Sequence, residues 1–133
     1  MENQTNISDM HAEHRQWQQD LAFYREEMTI FGDRLREVVS KNPPPDVVTW
    51  VVHFQNQFVI QNQMIDEILQ SVRSHEHEMK QLIEQGTQAV DGRLVGHHAE
   101  ARGKVQVFSR LYHALKNDLN QFLSKHLVGQ AAE

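Results

Sequence analysis

Six of the nine histidines in this chain fall in three close pairs: His11 with His14, His75 with His77, and His97 with His98. Neutral imidazoles bind divalent metals such as zinc and nickel, and three of them on one ion leave a position open for water or a substrate. Histidine is also the side chain whose charge changes nearest neutral pH. Metal binding and acid sensing are therefore the two chemistries these residues offer, provided the fold gathers them. Glu13, Glu76, Glu78 and Glu100 lie close by in sequence and would be gathered too. Little else in the chain is chemical. It has no Gly-rich phosphate loop, no His-Glu-x-x-His helix, no Ser/His/Asp grouping that stands out from chance, and no cysteine for thiol catalysis, zinc knuckles or iron–sulfur clusters. An enzyme is not expected, and a small ligand carrier would need a cavity that no sequence displays.

The elements that must position these histidines are legible in the hydrophobic pattern. From Val47 to Leu82, apolar residues recur at alternating spacings of four and three: Val47, Val51, Phe54, Phe58, Ile65, Ile68, Val72, Met79 and Leu82, with Gln61 and His75 as the polar members. That is a heptad seam of about five repeats without Gly or Pro inside it, which predicts one helix of about 35 residues, roughly 50 Å long. A buried amide at Gln61 would fix register and helix pairing. The same spacing runs before it through Met10, His14, Trp17, Leu21, Tyr24, Met28, Phe31, Leu35 and Val38, and after it through Leu94, His98, Ala101, Val105, Phe108, Tyr112, Leu115, Leu119, Phe122 and His126.

Punctuation divides the three seams. Ser8, followed by Asp9 and Glu13, is the expected start of the first helix, which should reach Lys41. Asn42, Pro43, Pro44 and Pro45 end it, and Asp46 is the expected cap of the second helix, which Gly86 should stop after Gln85. A connection that short predicts an antiparallel return. Residues 86–96 read as a loop with one helical turn, and the third helix should end near Val128 with Gly129 closing it. The expected fold class is all-α, a single domain over 1–133 built as an antiparallel up-down-up bundle of three long helices with coiled-coil packing. Residues 1–8 and 129–133 are expected to be loose ends. The alternative, a four-helix bundle, needs a break in the second helix near residues 71–74.

Up-down-up topology would bring six histidines to one end of the bundle. Pairing about the proline turn sets residue 14 opposite about residue 73, so His14 and His75 should share a layer. The offset of His98 depends on the 86–96 loop and is uncertain by one or two turns. His14, His75 and His98 each occupy a seam position that otherwise takes Leu, Val or Phe, and they are the expected metal ligands, for zinc or another divalent ion. The plainer outcome is neutral, partly buried histidines hydrogen-bonded to Glu or water.

A net charge of −5 with interspersed signs gives no concentrated basic face, so no nucleic-acid partner is expected. Residues 1–10 are polar and no stretch approaches the ~20 apolar residues of a membrane span, so no secretion signal and no membrane association are expected, and the cytoplasm is the expected location. The absence of motifs makes the leading functional expectation a non-catalytic helical bundle, a protein-interaction or structural module that engages a protein partner or forms a homo-oligomer. Val48, Trp50, Met64, Leu69, Ile83, Leu111 and Leu123, which flank the seams, would widen the core or form that surface. The alternative is a divalent-metal-binding or pH-responsive bundle working through the histidine end.

Two fragments carry resemblances. His53-Phe54-Gln55-Asn56-Gln57 is similar to the His-Phe-x-x-Glu helix of the hemerythrin family, and His113 with Asp118 is similar to that family's His-x-x-x-x-Asp helix. The resemblance implies four helices holding two irons through His and carboxylate ligands. The chain departs from it at Gln57, where the bridging carboxylate belongs, and at Arg73, where a second histidine would precede His77 by four residues. The heptad register also turns His53 and His113 away from the seam. The run from Val52 to Gln63 resembles small bacterial all-helical bundle proteins that share His-Phe-Gln-Asn-Gln, which implies a bundle over the first two helices.

Overall fold

The chain is helical because its apolar residues keep one period over three long stretches and its breakers fall between them. In the computed structural model, which describes residues 7–86 and 92–128, α1 spans Ile7–Ser40, α2 spans Pro45–Glu84 and α3 spans Gly92–Leu123, continued by a π-helical turn at Ser124–Val128. No strand occurs among the described residues. α2 runs 40 residues without interruption through 71–74, where a four-helix arrangement requires a break. The fold is thus all-α with three long helices.

The ends differ from expectation in ways that local chemistry explains. Helix α1 already includes Ile7 and Ser8, so Ser8 lies in the first turn and not outside it. Ile7 is partly buried against the cluster of Met10, Met79 and Leu94, which rewards one more residue of helix. At the other end Asn42 takes a left-handed φ of 54°, a conformation its short polar side chain tolerates. Pro44, not Asp46, takes the capping position before α2: its carbonyl accepts hydrogen bonds from the amides of Val47 and Val48, Pro45 occupies the first turn where no amide is needed, and Asp46 supplies the first-turn acid. Gly86 closes α2 with φ of 80°, its N–H donating a hydrogen bond to the Ile83 carbonyl.

Helix α3 begins at Gly92, so residues 92–96, expected in a loop, are helical. Burial of Leu94 with Met10 and Met79 outweighs the weak helix preference of the two glycines. The rest of that expected loop, 87–91, lies outside the described residues, as do 1–6 and 129–133, which hold most of the expected loose ends and Gly129. Near its end α3 widens to a π turn, and Leu123 takes a buried place while Phe122 and His126 stay half-buried.

The chain groups into two compact units, each drawing on all three helices. The first comprises residues 1–22 and 64–108, with a core of Met10, Trp17, Leu21, Ile65, Ile68, Val72, Met79, Leu94, Ala101 and Phe108. The second comprises 23–63 and 109–133, with a core of Met28, Leu35, Val38, Val47, Val51, Phe54, Phe58, Tyr112, Leu115, Leu119 and Leu123. Nearly all of these were seam positions, and burying each large side chain stabilises by about 1.5–3 kcal/mol. The buried polar residues are His14, His75 and His98 in the first unit and Gln61 in the second.

Candidate metal centre

Each of the three buried histidines stands at a seam position of a different helix of the first unit. The four-three period turns His14 of α1, His75 of α2 and His98 of α3 inward, and they are 1%, 3% and 2% exposed. The ring centroids of His14 and His75 are 4.9 Å apart, those of His14 and His98 5.0 Å, and those of His75 and His98 5.2 Å. Trp17, one step along the α1 seam, stacks on His98 at 5.2 Å and tilts against His14 at 5.4 Å.

The hydrogen bonds assign the two nitrogens of each ring. His75 Nε2 lies 3.0 Å from the Leu94 carbonyl, which only accepts, so Nε2 carries the proton and Nδ1 of the neutral ring is bare. His14 Nδ1 lies 2.5 Å from Glu76 Oε2 and donates to that carboxylate, leaving Nε2 bare. His98 Nε2 donates to Glu13 Oε1 at 2.6 Å, leaving Nδ1, which is buried and has no hydrogen-bond partner. The carboxylates are themselves held. Arg102 grips Glu13 through Nε at 3.0 Å and Nη2 at 2.8 Å, and His11 Nδ1 reaches both oxygens of Glu76 at 2.9 and 3.0 Å.

Two bare nitrogens therefore face each other, since His14 Nε2 and His75 Nδ1 are 3.0 Å apart. Lone pairs at that distance repel unless a proton or a metal ion lies between them. Burial pushes the pKa of His14 below the usual histidine range against the opposing pull of Glu76. It does the same to His75 against the Leu94 carbonyl. The same environment keeps the acids ionised. Glu13 is drawn down to about 2 by the Arg102 hydrogen bonds, with burial opposing and His98 assisting. Partial burial, the largest single influence on Glu76, would raise it, but the hydrogen bonds and charges of His14 and His11 together outweigh that and leave it lowered.

One nitrogen from each ring lies within 4.8 Å of one from each of the others, and this is the one group of three metal-ligating side chains found among the described residues. Nitrogens bound to one zinc at 2.0–2.1 Å in tetrahedral geometry stand about 3.3 Å apart, so small ring rotations would bring the three onto one ion. The outer nitrogen of each ring already donates to a carboxylate or a carbonyl, the arrangement that orients metal-ligating histidines and raises their basicity. The residues present fit a metal ion.

The shared layer of His14 and His75 follows the expected pairing, and the structure sets the offset that the sequence left open for His98. The other paired histidines do not join them: His11, His77 and His97 are exposed, with His11 on Glu76 and His97 Nδ1 donating to Glu78 at 3.0 Å. His53 and His113 are exposed in the second unit, and His113 Nδ1 donates to the Ser109 carbonyl. Sequence reasoning placed Glu13 and Glu76 near the site but missed Arg102 and the Leu94 carbonyl. Arg102 stands one helical turn after His98, a spacing that could have signalled it. No protein-family model matches the chain, and neither a curated protein nor a solved structure is detectably similar to it.

Proposed function

We propose that the protein is a helical bundle that binds a divalent transition-metal ion, zinc or an ion of similar preference, through His14, His75 and His98. The observation that carries this reading is the confrontation of two buried bare nitrogens at 3.0 Å beside a third with no partner. A metal ion satisfies all three at once, whereas a proton satisfies one pair and is opposed by burial. Glu13, Glu76, Arg102 and the Leu94 carbonyl hold the ring orientations. Protein prepared without an affinity tag should gain thermal stability with zinc, by about 2.7 kcal/mol at a hundredfold excess over Kd. His14→Leu with His75→Leu should abolish the gain, and an unresponsive wild type or an equally responsive double mutant would refute the reading.

The proposed architecture is the up-down-up bundle with coiled-coil packing. Its support lies in the order of partners within each unit. In the first, Ser71 pairs with Lys104 and Glu78 with His97, the reversed order of antiparallel α2 and α3. In the second, Tyr24 meets Tyr112 and Glu27 meets Lys116, the same order along α1 and α3. A resemblance to small bacterial helical bundles is in keeping with this proposal.

A second reading, an interaction module that engages a protein partner or its own copy, is favoured by the exposed Phe23, Ile30, Trp50, Val52, Val59 and Ile60 of the second unit. Light scattering over a range of concentrations tests self-association. No helix among the described residues is long and apolar enough to cross a membrane. A cytoplasmic location is proposed with either reading and is compatible with the absence of cysteine.

A further inference from the structure

The buried histidines are at most 3% exposed, so an ion reaching them must pass through a mouth in the first unit. One cleft of about 210 Å³ is lined by His75 itself together with Glu78, His97, Glu100 and Lys104. A second cleft, near the start of α1, meets His11 and Glu76. Glu76 is committed there, because its carboxylate holds His14 Nδ1 and so sets the tautomer that bares Nε2. An ion captured on Glu76 would release the ring it is meant to reach.

Glu78 carries no such duty. Its partner is the exposed His97, and an exposed pair of this kind exchanges readily for another cation. Glu100 adds a second carboxylate to the same cleft. Lys104, donating to Ser71 at 3.2 Å, is the opposing charge. The unpartnered His98 Nδ1, on a ring 2% exposed, is the acceptor still unsatisfied inside the unit whose other ligand, His75, lines this cleft.

Resting on the metal reading above, we propose that the cleft of His75, Glu78, His97 and Glu100 is a capture site for a hydrated divalent transition-metal ion, through which the ion reaches the three buried histidines. Carboxylate and imidazole replace part of the hydration shell of the ion at the surface, and the ion then passes to His75. The acids draw the cation by long-range attraction, Lys104 repels it, and both effects weaken with salt.

The test is stopped-flow binding of nickel alone to the tag-free full chain carrying Trp50→Phe, so that quenching reports Trp17, which stacks on His98. At low salt Glu78→Gln should slow association by about threefold or more, and Lys104→Gln should speed it. The loss of equilibrium affinity in Glu78→Gln should be smaller than its loss of rate, because a residue of the route lowers the barrier by contact and acts on the bound ion only through its field, which already reaches His75. Unchanged rates in both variants would overturn the route while leaving the metal centre in place. A loss of affinity in Glu78→Gln as large as its loss of rate would make Glu78 part of the bound site and overturn the capture role. Failure of the parent protein to bind nickel at all would reject the metal reading and the route with it.

Discussion

The two compact units are built from the same three helices and the same seam, yet they bury different things. The first encloses three imidazoles whose inner nitrogens lack partners or face one another, and its carboxylates serve to orient those rings. The second also buries one acceptor without a hydrogen-bond partner, Gln61 Oε1, but it pairs the polar groups at the margin of its core: Tyr112 donates to Glu27 at 2.9 Å, Lys116 closes on the same carboxylate at 2.7 Å, and Arg25 grips Asn62 through its side chain and carbonyl. Its exposed surface, in turn, carries large apolar residues such as Phe23, Trp50 and Val59. Each bare acceptor is a cost, but three imidazole nitrogens from three helices could share one cation, whereas the lone amide oxygen of Gln61 belongs to no such set. The difference separates a unit whose core gathers three imidazoles from one whose polar groups lie mostly at the margin of its core.

The largest expected effects test whether both cores are equally built. Phe108 in the first unit is fully buried and Phe58 in the second is 9% exposed, so Phe108→Ala and Phe58→Ala should each cost about 3–5 kcal/mol in denaturant unfolding. A loss below 1 kcal/mol in either would mean that its unit packs less tightly than its burial suggests. The next contrast is the response to zinc, expected to slow amide exchange first in residues around His14, His75 and His98. Equal protection around Tyr112 would erase the distinction drawn between the units.

The pH dependence should have opposite signs in the two. His14 and His75 titrate below the usual histidine value when folded, so the unfolded chain takes up protons first. Their contribution is present above about pH 6.5, the unfolded value, and lost progressively as pH falls from there toward the folded pKa. Tyr112 is shifted upward, chiefly by burial and then by its bond to Glu27, so it stays neutral where a free tyrosine ionises. Its contribution is present below about pH 10 and lost as pH rises beyond that. Metal-free melts across pH should therefore show an acid limb that His14→Leu with His75→Leu flattens and an alkaline limb that Tyr112→Phe flattens. An acid limb unchanged in the double mutant would show that the histidines do not share the burial assigned to them.

The smallest effect is a gain. Gly103 in the first unit has open space where a Cβ would stand, and Gly32 in the second would meet only the end of Arg36 at 3.8 Å. Both lie inside helices, so Gly103→Ala and Gly32→Ala should each stabilise by about 0.5–1 kcal/mol in thermal melts. A loss at Gly103 alone would indicate that the first unit uses close approach or flexibility there.

The heptad pattern by itself determined three long helices, the rotation of each about its axis, and hence that Trp17, Phe58, Gln61, Phe108 and the three histidines face inward. Proline and glycine marked where the first two helices stop. These properties are local: a 3.6-residue period fixes which face is apolar, and backbone chemistry fixes where a helix can no longer continue. Translation along the axes is not local, because seams of equal spacing can slide by a heptad without changing their pattern. For α1 and α2 the short connection limits it, and within the first unit His14 and His75 stand 3.0 Å apart. For α3 only the packing of Leu94 on Met10 and Met79 decided it, which brought His98 into the layer and left its neighbour His97 outside on Glu78. Tertiary structure alone also supplied Arg102 against Glu13 and the Leu94 carbonyl against His75. Those contacts choose which nitrogen of each ring is bare, a property that depends on neighbours from other helices and has no periodic trace in the chain.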